Sequence, residues 1–171
     1  MVVMKGINEH GINTMLDFAL ERDLDLRLIE TMPMGTAGAG SMVHYYPAVR
    51  ILERVREHFG AQLLPLQAHR GPGPARYYQV GSSLMKIGVI SAISRHFCET
   101  CNRVRLTARG DLVLCLGNRD RVSLRDALQS GRSDAEIRQE ILAAIARRPE
   151  QHNFECDADQ TAFGQMVILG G

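Results

Sequence analysis

The sequence lacks a charge imbalance, a long apolar run and any internal repeat, and it holds few cysteines. Lys plus Arg number 20 and Asp plus Glu number 19, a formal net charge of +1. So balanced a chain gives no overall electrostatic reason to bind nucleic acid or a membrane surface. Any anion binding must come from local clustering. No stretch approaches the roughly 18 apolar residues of a membrane span. The start, Met1-Val2-Val3-Met4-Lys5, is too short for the apolar core of a signal peptide, and the polar Asn8-Glu9-His10 comes soon after. A cytoplasmic protein without nucleic-acid or membrane partners is expected. The chain has only four cysteines. In a reducing compartment they seldom form structural disulfides, and a Cys-x-x-Cys there more often binds metal or does redox chemistry.

What is present suits a packed interior. The chain has 171 residues, 45% of them apolar, enough for one domain, or for one domain plus part of another. Val2–Lys5 reads as a short buried strand. Asn8 can cap a helix whose apolar face is Ile12, Met15, Leu16, Ala19 and Leu20. Leu24–Glu30 reads as a second strand, with Leu24, Leu26 and Leu28 alternating against Asp25 and Arg27. A lone strand–helix–strand unit cannot cover both faces of its sheet. It therefore reads as a piece of a larger α/β structure.

Residues 33–41 form a glycine-rich linker or lid whose spacing fits no phosphate-cradling motif. A helix is expected from about Pro47 to Phe59, with Val49, Leu52, Val55 and Phe59 inward and Gly60 ending it. A second loop covers 69–74, and short strands come next at Tyr77–Val80 and Leu84–Ile90. Ser123 opens one late helix and Gly131 ends it. Ser133 with Glu136 makes a capping box for another, whose inward face would be Ile137, Ile141, Leu142 and Ile145. The last residues, Ala162 to Leu169, are apolar and run into Gly170-Gly171.

The chemistry lies between 94 and 116. Cys98 and Cys101 can chelate one metal centre, since two intervening residues let the chain curl round it. A hairpin would bring Cys115 to them. Thr107-Ala108-Arg109-Gly110-Asp111 suits a three-residue loop with Gly110 in the left-handed conformation. That loop opposes Thr107 to Asp111, Arg105 to Val113 and Arg103 to Cys115, and opposed side chains share a face. A two-residue loop would put Cys115 on the other face. Three thiolates fall one short of a closed zinc or ordinary iron–sulfur site. Either Cys156, His96 or His69 supplies the fourth ligand, or the position stays open for substrate. Arg103 and Arg105 favour the open position, because a guanidinium binds phosphate with a charged, planar fork. Taken separately, the cysteines also fit a zinc ribbon, the arginines a solvated strand face, and Cys156 a buried or free thiol.

Together these residues resemble a known family. Phe97-Cys98-x-x-Cys101-Asn102-Arg103-x-Arg105-Leu106-Thr107-Ala108, then Gly110, then Cys115-Leu116, is similar to the C-terminal signature of the MoaA family. These are the radical S-adenosylmethionine (SAM) GTP 3′,8-cyclases of molybdopterin synthesis. Val2–Asn8, Leu26–Pro33, Arg148–His152 and Gly170-Gly171 match the same pattern.

The resemblance implies the last strand–helix units of a TIM-type barrel over residues 1–35. An α+β C-terminal domain with a cluster-bearing hairpin would occupy 36–171. It implies a second 4Fe–4S cluster on Cys98, Cys101 and Cys115, with one iron open to the guanine of GTP. Arg103, Val104 and Arg105 would contact GTP, the two arginines on its phosphates. Met32 would line the SAM site at the C-terminal end of a barrel strand, and Gly170-Gly171 would reach into the active site of a homodimeric enzyme. The product would be (8S)-3′,8-cyclo-7,8-dihydroguanosine 5′-triphosphate. The radical-SAM motif Cys-x-x-x-Cys-x-x-Cys does not occur in these residues, so the chain by itself is expected not to cleave SAM.

Overall fold

The period-two pattern at residues 26–30 fixes the first sheet. Strand β2 (Leu26–Glu30) turns Leu26, Leu28 and Glu30 inward. It begins two residues later than the pattern suggests, and Leu24 is left exposed. The computed structural model describes residues 1–33, 40–66, 73–118, 120–152 and 154. Strand β1 (Val2–Val3) pairs in parallel with β2, placing Val2 beside Ile29 and Val3 beside Glu30. The chain between them forms helix α1 (Ile12–Glu21), the crossover that a parallel pair requires.

Next come helix α2 (Ala48–Phe59), then β3 (Leu63–Pro65), β4 (Arg76–Val80) and β5 (Lys86–Ile90). Strand β5 returns to pair in parallel with β2, Leu26 opposite Ile87. Strands β4 and β3 then extend the sheet in antiparallel fashion, giving the order β1-β2-β5-β4-β3. The result is a mixed α/β sheet.

One face of this sheet carries the core. Val3, Leu26, Leu28, Ile87 and Val89 pack with Ile12 and Leu16 of α1 and Ile51 and Val55 of α2. On the other face, Arg27 and Tyr77 meet across one cross-strand row. Arg27 and Tyr77 both lie opposite Gly88, and the Arg27 Nε donates to the Tyr77 hydroxyl at 2.9 Å. A Cβ on Gly88 would stand 3.0 Å from the Tyr77 ring, so glycine lets ring and arginine stem close over the strand.

Several local expectations are corrected. Asn8 does not cap α1. Its Oδ1 accepts from the Met4 N–H at 2.8 Å and its Nδ2 donates to the Val2 carbonyl at 3.0 Å, tying the loop back to β1. A short 3₁₀ turn, Glu9–Gly11, precedes the helix instead. On α1, Met15 is exposed while Ile12, Leu16 and Ala19 are buried. On α2 the buried stripe is Ala48, Ile51 and Val55, and Val49 is exposed. Val49 lies one residue out of phase with that helical stripe. Gly60 ends α2 at φ +55 as expected.

Because β5 hydrogen-bonds to β2, residues 41–97 fold with the start of the chain: Met1–Met32 and Ser41–Phe97 form one compact unit, and a second takes in the chain from Cys98 onward. That unit contains a three-stranded sheet, β6 (Arg105–Leu106), β7 (Asp111–Val113) and β8 (Arg121–Ser123). It also contains α3 (Leu124–Gln129) and α4 (Asp134–Ala146). Ser123 caps α3, and Ser133 with Glu136 forms the expected capping box of α4. The inward positions of α4 differ from those expected. Ala144 is buried and Ile141 packs beside it, whereas Leu142 and Ile145 are exposed.

Strand alternation carries Glu30 inward, although its charge favours solvent. It is fully buried at the C-terminal end of β2. Its Oε1 accepts from the Tyr45 hydroxyl at 2.6 Å and the Ala48 N–H at 3.1 Å. Its Oε2 accepts from the Ile93 and Ser94 N–H groups at 2.8 and 3.0 Å. Burial works to raise its pKa, but the bonds from Tyr45, Ile93 and Ser94 prevail, and the carboxyl titrates below the ordinary glutamate value. A lowered folded pKa contributes stability above the unfolded value, and that contribution is lost as pH falls through the folded value. Glu30→Gln turns an amide donor toward two N–H donors and should cost roughly 2–3 kcal/mol. Urea unfolding at neutral pH measures this, and the difference from the unaltered chain should shrink in acid.

Candidate cluster and anion site

The hairpin forms as its turn chemistry demands. Thr107 N–H donates to the Asp111 carbonyl at 2.9 Å, and Gly110 N–H donates to the Thr107 carbonyl at 3.0 Å. Gly110 sits at φ +82, the left-handed region that glycine enters without penalty. Arg105 lies opposite Val113 and Leu106 opposite Leu112, the register of a three-residue loop. Strand β8 adds Arg121 opposite Val113 and Val122 opposite Leu112. Two cross-strand rows result, and adjacent rows point to opposite faces. Leu112 and Val122 join Leu114 and Ala144 in the core of this unit. Arg105, Val113 and Arg121 form the row on the other face.

The ladder stops at Arg105 and Val113, so the expected pairing of Arg103 with Cys115 does not form. Past Leu114 the chain turns, with Asn118 N–H donating to the Cys115 carbonyl at 3.3 Å. This turn, not strand register, places Cys115. Arg103 and Val104 are exposed, and Arg105 is half-buried.

Cys98 and Cys101 lie on one tight turn. Cys98–Thr100 is a 3₁₀ turn, and Cys101 N–H donates to the Cys98 carbonyl at 3.1 Å. Cys98, Cys101 and Cys115 are free thiols, each half-buried. Burial pushes the Cys115 thiol up, and the nearby Cys98 and Cys101 push it further. The Gly117 N–H and the charge of Arg148 oppose them. Neighbouring thiols that push the Cys115 thiol up mark a site short of positive charge, a shortage that a bound metal reverses.

The donor set and its neighbourhood therefore fit a thiolate-bound metal centre. Among the described residues, no three His, Cys, Asp or Glu side chains are gathered as a single ion would need. Around one zinc the sulfurs sit about 2.3 Å from the metal and close to one another.

Arg148 is a site residue that no local pattern marks. It lies past the end of α4, just before Pro149, and its Nη2 donates to the Cys98 carbonyl at 3.4 Å. Gly117 is a second. A Cβ there would stand 2.5 Å from the His152 Cβ and 3.2 Å from the Phe154 ring. The segment after α4 thus meets the cysteine site twice, at Cys98 and beside the Cys115 turn. Arg148, Pro149 and His152 match the family pattern, but no periodicity signals their contact with the cysteine turns.

The remaining candidates lie elsewhere. Met32 is half-buried just beyond β2, and His96 precedes Phe97; both belong to the first unit. His69, Cys156, Gly170 and Gly171 lie outside the described residues.

Comparison with known proteins points the same way. A family model described as Molybdenum Cofactor Synthesis C matches residues 24–154. A protein of Hydrogenovibrio crunogenus named GTP 3′,8-cyclase is 47% identical over 171 residues, covering 100% of this chain and 52% of the relative. Proteins of the same name from Pseudomonas fluorescens and Paracoccus denitrificans are 38% and 42% identical. Their matches cover 99% and 90% of this chain but 51% and 44% of their own lengths. The chain spans about half the length of the curated relatives it matches. The family match takes in the cysteine turn, the arginine-bearing hairpin and Arg148 together, and the chain belongs to the Molybdenum Cofactor Synthesis C family.

Proposed function

We propose that this chain is the cluster- and substrate-binding half of a GTP 3′,8-cyclase acting in the cytoplasm in molybdenum cofactor biosynthesis. The observation that carries this reading is the grouping of three free thiols near a hairpin that bears Arg105. Cys98, Cys101 and Cys115 would hold a 4Fe–4S cluster, one ligand short of closure. When bound, the cluster supplies an iron with an open position, a Lewis acid for the guanine base.

The chain's own residues supply the rest. Arg103 and Arg105 bind the phosphates of GTP through charge-assisted hydrogen bonds, and Val104 lies between them against the nucleotide. Arg148 holds the Cys98 carbonyl in place and adds positive charge beside the thiolates. This is catalysis by positioning. Met32 contributes to a SAM site at the end of β2, in a TIM-type barrel to which residues 1–35 contribute. Gly170-Gly171 enters the active site, and the working enzyme is a homodimer. Radical formation belongs to a first cluster whose cysteine motif is absent from these 171 residues, so the chain alone binds GTP without turning it over.

Anaerobic reconstitution should load about four irons per chain, with a broad absorption near ~400 nm characteristic of thiolate-bound iron–sulfur clusters. Stoichiometric zinc with no iron would overturn the reading. Cys115→Ser should prevent assembly while circular dichroism stays unchanged. Arg103→Ala and Arg105→Ala should each weaken GTP binding about tenfold, a loss of roughly 1.4 kcal/mol, and leave the cluster absorption intact. Equal GTP affinity in both variants would remove the arginines from the phosphate site.

A further inference from the structure

The hairpin has a second basic surface that the nucleotide reading does not use. A groove of about 490 Å³ is lined by Arg109, Asp111, Arg121, Ser123, Arg125 and Asp126. Three guanidinium groups and two carboxylates give it a net charge of +1 in a chain whose total is also +1. The local excess is thus as large as that of the whole molecule.

The backbone builds this groove. Arg121 and Ser123 alternate with the buried Val122 and so share one face of β8. Ser123 lies opposite Asp111, and Arg121 lies opposite Val113. Arg109 and Arg125 are brought together by the turn. The Gly110 carbonyl accepts from the Leu124 and Arg125 N–H groups at 2.9 and 3.2 Å. A Cβ at Gly110 would stand 2.8 Å from the Arg125 Cβ. Only glycine lets the turn seat this closely on α3, and Arg109 is the next residue back along the chain.

The charges are unevenly engaged. The Arg125 Nε donates to the Asp126 carboxylate at 3.4 Å, and the Ser123 hydroxyl accepts from the Asp126 N–H at 3.2 Å. Among the described residues, neither Arg109 nor Arg121 takes part in an ion pair. Two unengaged guanidinium groups thus border a cavity of ligand size, with a third held half-neutralised at its side. Guanidinium forks match the oxygens of a phosphate.

We propose that this groove is an anion-binding site for a phosphate or short polyphosphate group, distinct from the Arg103–Arg105 site. Arg109 and Arg121 are its principal ligands. Asp126 limits its affinity by engaging Arg125.

The test is calorimetric titration of the full chain with inorganic pyrophosphate, in the unaltered protein and in variants whose folding is checked by circular dichroism. In an Arg103→Ala/Arg105→Ala background, which removes the arginines of the nucleotide site, saturable one-to-one binding is expected, weakened at least about tenfold by adding Arg109→Gln and Arg121→Gln and weakened also by added salt. Asp126→Asn should tighten it, a direction that damage to the fold would not produce. Competition by GTP would assign the bound group to a nucleotide's phosphate tail, and indifference to GTP would assign it to free polyphosphate. Absence of saturable binding in that background, or binding left unchanged by Arg109→Gln and Arg121→Gln, would overturn the proposal.

Discussion

The left-handed glycine at position 110 is the constraint on which the second unit depends. It closes a three-residue loop, and that loop sets the register of β6 on β7. With the register fixed, Leu112 and Val122 fall to the core, and Arg105 and Arg121 fall together on the opposite face. A shift of one residue would exchange the two faces, burying guanidinium groups and exposing leucines. The carbonyl of the same glycine accepts from two N–H groups at the start of α3, so turn, sheet and helix are locked by one residue without a side chain. Both basic surfaces of the unit derive from that geometry.

Electrostatics then divides the molecule into regions with different needs. Burial raises the pKa of Cys115, and the nearby Cys98 and Cys101 push it the same way, so the site calls for cations. Arg148 answers locally by bonding to the Cys98 carbonyl, and a bound metal centre would answer more strongly. In the first unit the buried charge is negative, and Glu30 is stabilised by hydrogen-bond donors instead of a cation. One hydroxyl and three backbone N–H groups suffice there because these four donors share two carboxylate oxygens. The cost of burying the charge is offset by bonds that also tie the end of β2 to α2 and to residues 93 and 94.

Much of the local structure is readable along the chain. The Cys98–Cys101 turn, the turn chemistry of residues 107–111 and the capping box at Ser133 each depend on neighbours within a few positions, and each forms. The helix faces are less legible. Val49 and Met15 are apolar yet exposed, because apolar identity does not say which side of a helix meets the sheet. Asn8 has the residue type of a cap, but it finds closer partners in β1. Cys115 would face Arg103 if the ladder continued, but the ladder stops two residues short.

Local chemistry by itself determined the candidate thiols, the hairpin register and the family to which the chain belongs. Those signals are carried by residue type and short spacing, which survive without knowledge of the fold. Only the tertiary structure decided the parallel return of β5 onto β2, the burial of Glu30, the approach of Arg148 to Cys98 and the alignment of Arg121 with Arg105. These contacts join residues distant along the chain. Their partners are chosen by packing and by the need to satisfy buried polar groups, and no local pattern records either.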